Sequence, residues 1–361
     1  MSTTSNPAGW HLARGFRYAA SSCGIRGEKA EPRLDLGLIV SDVPASAAGV
    51  FTQNQVRAAP VRVCQERLPS RDVRGVVVCS GNANACTGMQ GLVDARRMTE
   101  LAARGIGCRE EQFLVASTGV IGRHLPMTKI EAGISATLHH LATSPTALED
   151  LNRSILTTDT VIKISTRELP LGGKPTRLTG LAKGAAMIGP NMATMLAFVF
   201  TDAAVDPEDL QRQIRRAADR SFNCISVEGH TSTNDTTLVL ANGQNGAGEL
   251  AGAELQKFGS ALSSVLADLA KAIAADAEGA QHMVTIEVEG LRDDAEAFRV
   301  AKTVADSALV KTAIFGADPN WGRFLSAAGY AGVPFREDQV SLWLGDLLLY
   351  DKGAPQPVDL S

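Results

Sequence analysis

Apolar residues along this chain follow two rhythms. Short apolar runs, often β-branched, occur at Leu36-Val40, Val76-Cys79, Phe113-Ser117, Met195-Phe200, Thr237-Leu240, Val284-Val288 and Ser341-Leu344. Runs of that length and composition predict strands. Elsewhere apolar residues recur every three or four positions, which predicts helices with one buried face. Thr128 and Glu131 read as a capping box ahead of Ile130, Ile134, Leu138 and Leu141. Asp206 and Pro207 read as an N-cap and first helical residue ahead of Leu210, Ile214 and Ala217. A longer stripe carries Leu255, Phe258, Leu262, Val265, Leu269 and Ile273, and a further helix is expected from Glu296 to Leu309. Strands and helices interleaved in this way predict a mixed α/β protein whose sheets are covered by helices.

Composition narrows the function classes. The chain holds 35 Lys and Arg against 39 Asp and Glu, a net charge of -4, with no block of like charge. Nothing in that balance draws it to nucleic acid or an anionic membrane. The amino terminus lacks the basic and apolar regions of a signal peptide, and no apolar run has the length of a membrane span. A cytoplasmic location is therefore expected. Cys23, Cys64, Cys79, Cys86, Cys108 and Cys224 form no Cys-x-x-Cys pair and have no His at metal-ligand spacing. Buried free thiols are the expected reading. His139 and His140 share a predicted helix without a third ligand, so no metal is expected. Gly119-Val-Ile-Gly122 is too short for a Rossmann or P-loop fingerprint, and Gly243-Gln-Asn-Gly246 is a turn signal.

The stretch richest in chemistry runs from Ala182 to Phe200, where Lys183-Gly-Ala-Ala-Met-Ile-Gly-Pro-Asn-Met-Ala-Thr194 leads into the apolar run Met195-Phe200. Gly184, Gly189 and Pro190 make a tight loop. Taken alone, Thr194 is a β-branched residue opening a strand.

The segment resembles the processing site of the ornithine acetyltransferase family, also called the bifunctional glutamate N-acetyltransferase family. Further blocks resemble that family in its own order: Ser80-Gly-Asn-Ala-Asn-Ala-Cys-Thr-Gly88, Ser117-Thr-Gly-Val-Ile-Gly122, Thr157-Thr-Asp-Thr160, Thr231-Ser-Thr-Asn-Asp-Thr236, Glu278-Gly-Ala280 and Asp318-Pro-Asn-Trp-Gly-Arg323. The resemblance implies a layered αββα-type sandwich that cuts itself between Ala193 and Thr194. It would leave an α chain, 1–193, and a β chain, 194–361, intertwined in one catalytic unit. A new N-terminal Thr carries its own α-amine, whose reference pKa of about 7.7–8.0 suits a base near neutral pH. One cut therefore frees the nucleophile and makes its base.

By position, the resemblance implies that Thr118 and Gly119 form the oxyanion hole. It further implies that Thr157, Lys183, Thr194 and Glu278 contact substrate. Read without the family, these are a strand-to-loop turn, a cap, a surface lysine and a turn acid. Asn82 and Asn84 are expected to hold a turn, and Trp321 to buttress the site. The implied reaction moves acetyl from N2-acetylornithine to glutamate with no cofactor, in a heterotetramer of two α and two β chains. The sequence leaves acetyl-CoA open as a second donor.

Two features depart from the family pattern. Gln281-His282 stands where Thr-Lys is usual, close to Glu278. Family members also continue beyond the position of Ser361, with further substrate-binding residues that are not assigned here. Two other readings stay open: an amidase or aminopeptidase using Thr194 as a hydrolytic nucleophile, and an unprocessed homologue without activity.

Overall fold

The structure is a computed structural model that describes residues 9–27, 33–189 and 195–357. Residues 190–194, including Pro190, Ala193 and Thr194, lie outside the described residues. The chain forms two compact units, Met1–Glu278 and Gly279–Ser361. Nothing in the sequence pattern signalled a boundary after Glu278.

In chain order the first unit holds β1 (Phe16–Ser21), β2 (Leu36–Phe51), α1 (Ala59–Arg67), β3 (Ser70–Asn82), α2 (Gly88–Ile106), β4 (Phe113–Val120), α3 (Met127–Leu138), α4 (Pro145–Ile155), β5 (Lys163–Leu171), β6 (Lys174–Lys183), β7 (Leu196–Thr201), α5 (Pro207–Asp219), β8 (Thr236–Ala241) and α6 (Gly252–Ala275). The strands make one eight-stranded mixed sheet in the order β4-β3-β2-β8-β7-β6-β5, with β1 also paired to β2. β2 is the hinge of this sheet. Its first half pairs with β1 and β3, its second half pairs with β8, and the register shifts between Val40 and Ala47.

Alternation along the central strands divides two cores. Leu196, Phe198 and Phe200 of β7 join one core, with residues of α1, α2, α3 and α4. Ala197 and Val199 join the other, under α5 and α6. Helices on both faces make β7 and β8 buried throughout. The first unit is thus a layered mixed α/β sandwich, as its apolar pattern indicates.

Several elements follow from local chemistry. The Asp206 side chain accepts the backbone N–H groups of Glu208 (2.8 Å) and Asp209 (3.3 Å), with Pro207 opening α5. The β5–β6 hairpin turns at Gly172-Gly173, with φ of 56° and 74°, a pair of left-handed angles that glycine meets without strain. α6 is long and apolar enough to cross a membrane by length and composition, contrary to the sequence reading. Here its apolar face, including Phe258, Leu262 and Val265, is buried in the second core.

Three local expectations are corrected. α3 starts at Met127 with Pro126 as its N-cap, so Thr128 caps nothing; Glu131 instead accepts from Arg97 Nε of α2 at 2.9 Å. The helix expected over 296–309 is two helices in the second unit, α7 (Asp294–Asp306) and α8 (Ala308–Phe315). The break falls at Ser307, whose hydroxyl caps α8 by accepting from the Val310 N–H. Val284-Val288 is not a strand: Ile286 and Val288 pack against the small core of Val300, Val304 and Val310, without a backbone ladder. The second unit is completed by α9 (Gly322–Gly329) and a three-stranded sheet of β9 (Ser341–Leu344), β10 (Leu347–Asp351) and β11 (Ala354–Pro355), with Trp321 packed on Tyr350.

The topology generates a prediction. β7 and β8 lie between β6 and β2, so a fragment of residues 1–193 leaves one edge of β6 and the second half of β2 without those partners and uncovers apolar core. That fragment, produced alone, is expected to be insoluble or to lack near-ultraviolet circular dichroism. A soluble fragment with native-like near-ultraviolet signal would contradict it.

Candidate active site

Strand register assembles the site. Lys183, the last residue of β6, pairs with Leu196, the first of β7, which pairs in turn with Thr236, the first of β8. Gly184, Met195 and Asp235 therefore leave the sheet together at one end. Met195 is held from both sides: its N–H donates to Asp235 Oδ1 at 3.3 Å, and its carbonyl accepts from the Thr236 N–H at 3.1 Å.

A buried charge cluster fixes the β6 side. Asp159 is buried, and its carboxylate accepts from Lys163 Nζ (2.8 Å), from the Gly184 N–H (2.6 Å) and from the Thr157 N–H (3.0 Å). Lys183 is 2% exposed, not the surface lysine that its residue type suggests; its ammonium lies 3.8 Å from Asp159 and donates to Thr157 Oγ1 at 2.7 Å. Burial alone would raise the Asp159 pKa, but Lys183, Lys163 and the hydrogen bonds outweigh it and hold it at about 2. For Lys183 burial wins over Asp159, and its pKa is lowered.

Lys163 also pairs at 2.6 Å with Asp276, which follows α6 and accepts from the Thr160 N–H. Two residues on, the Glu278 N–H donates to the Ala185 carbonyl at 2.7 Å. Thr157, Lys183 and Glu278 are thus brought onto one framework. The Glu278 side chain is exposed, open to a ligand.

Thr118 and Gly119 lie just before the last residue of β4, beside Ser80 and Gly81 of β3. Gly119 has a φ of 135°, and a Cβ there would stand 2.3 Å from the Gly81 carbonyl carbon, so only glycine fits. Thr118 is buried, and its hydroxyl makes no hydrogen bond among the described residues. Asn234 ties this corner to the β7–β8 end: its Nδ2 donates to the Ser117 carbonyl (2.8 Å) and the Ala83 carbonyl (2.6 Å). Arg26 ties it to the Lys183 side, donating to Ser80 Oγ at 2.5 Å and to the Leu156 carbonyl. Asn82 and Asn84 do hold the intervening turn, the Asn84 N–H donating to Asn82 Oδ1 at 2.8 Å.

Ala193 and Thr194 themselves lie outside the described residues. Sequence reasoning missed Asp159, Lys163, Asn234, Asp235 and Asp276. Asp159, Asn234 and Asp235 sit inside quoted motif blocks, so the blocks were the available signal. The expectation of buried thiols holds for Cys64 and Cys79, whose pKa burial pushes up to about 12; Cys86 and Cys224 are exposed.

Comparison with known proteins adds an independent line. The sequence profile of the ArgJ family matches residues 17–361. The chain is 49% identical over 342 residues to the arginine biosynthesis bifunctional protein ArgJ of Geobacter sulfurreducens, covering 94% of this chain and 86% of that one. It is 47% identical over 349 residues to a Nostoc protein named arginine biosynthesis bifunctional protein ArgJ 1, covering 96% and 83%. A crystal structure of the Bacillus halodurans bifunctional protein is 42% identical, with a TM-score of 0.45 over 50% of this chain and 92% of that one.

The charge cluster generates a prediction. Asp159→Asn leaves two buried lysines short of one negative charge, and breaking such an arrangement costs about 3–5 kcal/mol. A carboxyl with a depressed pKa stabilises the fold above its ordinary value of about 3.9. That contribution is lost as pH falls toward about 2. Urea unfolding of wild type and variant should therefore differ most above pH 4 and converge toward pH 2. Equal stability at pH 7 would count against the assignment.

Proposed function

The chain belongs to the ArgJ family, and from that premise we propose how its residues carry out the reaction. The protein is an acetyltransferase of arginine biosynthesis, moving acetyl from N2-acetylornithine to glutamate. Its first act is to cut itself. The Thr194 hydroxyl attacks the Ala193 carbonyl, the C–N bond breaks, and the nitrogen takes up a proton. Water then hydrolyses the ester, leaving an Ala193 carboxylate and a free N-terminal Thr194.

Transfer reuses the same hydroxyl. The α-amine of Thr194 takes its proton as Oγ1 attacks the acetyl carbonyl of N2-acetylornithine. The proton passes to the departing ornithine nitrogen, and acetyl stays on Thr194 as an ester. Glutamate's amine attacks that ester, the proton returns to Thr194, and N-acetylglutamate leaves. The Thr118 hydroxyl and Gly119 N–H stabilise the oxyanion in both halves, donors of a kind worth about 10²–10³ in rate each. Thr157, Lys183 and Glu278 hold the substrate. The exposed Glu278 carboxylate suits the substrate amino group.

The observation that carries this reading is the double anchoring of Met195, next in the chain to Thr194, at the sheet end that Asn234 joins to Ser117, next to Thr118. The reading includes α (1–193) and β (194–361) chains assembled as two of each, and a cytoplasmic location. Acetyl-CoA as a further donor is an arm of the same assay.

A denaturing gel with amino-terminal sequencing tests the cut: wild type gives two bands, one beginning at Thr194. Thr194→Ala is expected to stay whole and to transfer no acetyl. Thr194→Ser keeps the hydroxyl but loses the methyl that restricts its rotamer; it should cut more slowly and retain some transfer. Mass spectrometry after mixing with N2-acetylornithine should find acetyl on the peptide that begins at Thr194. A Thr194→Ala chain that still cuts and transfers refutes the mechanism, and acetate release without acetylglutamate makes the protein a hydrolase.

A further inference from the structure

One cavity of the first unit has no part in the steps above. It holds about 90 Å³, room for several waters, between the segment that leads into α1 and the start of α2. Arg57, Arg62, Cys86, Thr87 and Gly88 line it, with Val56 among its apolar walls. Thr118, Thr157, Lys183 and Glu278 do not line it. The site is therefore independent of the roles given to those residues and to Thr194.

Its charge is of one sign. No Asp or Glu lines the cavity, and Arg57 and Arg62 are both exposed. Neither guanidinium makes an ion pair or a hydrogen bond among the described residues. Glu66, one turn after Arg62 on α1, is the acid that helical spacing offers it. Glu66 pairs instead with Arg96 of α2 at 2.7 Å. Two cations thus border the cavity without a counter-charge.

The start of α2 adds donors without an acceptor. The first N–H groups of a helix have no partner within it. Thr87, the N-cap, supplies none: its hydroxyl donates to Asn84 Oδ1 at 2.8 Å, and no acid stands in the first turn. The space there is open, since a Cβ built on Gly88 would meet no atom within 4 Å.

Two guanidinium groups and uncapped N–H groups suit a ligand with two negative charges and several oxygens. A phosphate monoester carries about −1.5 to −2 charges at pH 7 and three acceptor oxygens. A lone carboxylate would leave one guanidinium without a charge partner. We propose that this cavity binds the phosphate group of a small molecule, held by Arg57 and Arg62 with the N–H groups at the start of α2. The wall of the cavity is tied to the Thr118–Gly119 corner: the Asn84 carbonyl accepts from the Ala59 N–H at 3.2 Å, and the Ala85 carbonyl accepts from the Gly122 N–H at 2.9 Å. Two sources present the required chemistry, a free phosphate or pyrophosphate and the phosphate groups of acetyl-CoA.

Cys86, exposed at the cavity, reports its occupancy. Alkylation by iodoacetamide, a neutral reagent, is followed by mass spectrometry on the Cys86 peptide, with inorganic pyrophosphate or coenzyme A as the probe. Cys224, exposed and outside the cavity, is the internal control. Pyrophosphate is expected to slow the labelling of Cys86 saturably and to leave that of Cys224 unchanged. Arg57→Gln and Arg62→Gln should each raise the half-protecting concentration about tenfold, the loss of one charge-assisted contact. The double variant should lose protection while keeping the wild-type near-ultraviolet circular dichroism.

Equal protection by the two probes shows that a free phosphate suffices, and tighter protection by coenzyme A assigns the site to the acetyl donor; either result supports the proposal. Failure of both probes, or protection that survives in the double variant, overturns it. Titration calorimetry on the wild-type chain needs no variant: pyrophosphate should give a saturable heat, and its absence together with that of coenzyme A overturns the proposal as well.

Discussion

Two ammonium groups buried against one carboxylate set the terms for this site. Lys163 and Lys183 are both nearly inaccessible, and Asp159 faces both. Charges removed from water are tolerated only when paired and hydrogen-bonded. Asp159 meets that condition with bonds from Lys163, Gly184 and Thr157, while Asp276 shares Lys163. The loop after α4, the end of β6 and the segment after α6 are therefore not free to move apart. A charge requirement in the interior has become a positional requirement on Thr157, Gly184 and Glu278.

The second constraint is strand order. β7 and β8 run parallel in the middle of the sheet, and β6 is antiparallel to β7. That arrangement brings the chain termini of three strands to one end. Asn234 and Arg26 extend the arrangement sideways to the β3–β4 corner, through backbone carbonyls and Ser80. The site is thus held chiefly by hydrogen bonds to main-chain groups, which fix loop positions without prescribing the side chains that face a substrate.

Much of this was legible in the sequence, and the exceptions have physical causes. The apolar strands at the sheet centre stand out because burial on both faces demands unbroken apolar runs, as in Leu196–Thr201. The β5–β6 hairpin escaped because its strands are half-solvated and mix charged with apolar residues, although Gly172-Gly173 was a usable turn signal. Val284-Val288 misled because its alternation reflects packing of Ile286 and Val288, not backbone pairing. Among the site residues, Thr118, Gly119, Thr157, Lys183 and Glu278 came from motif resemblance, and Thr194 was likewise motif-borne. Asp159 and Asp235 carry no such legibility of role. Their meaning depends on neighbours such as Lys183 and Met195, which only the strand register brings close.

The central place of β7 and β8 has a bearing on the molecule that the proposed cut would leave. As one chain, the sheet forms by an intramolecular process whose rate does not depend on concentration. Were the proposed cut between Ala193 and Thr194 made, the same sheet would have its middle strands on one piece and both flanks on the other. Each piece then needs the other to complete its core, so recovery from unfolding becomes a bimolecular encounter between two partly folded, aggregation-prone chains. The mature form would owe its persistence to a high barrier against unfolding rather than to easy return. A dilute solution, harmless to the precursor, would make its loss effectively permanent.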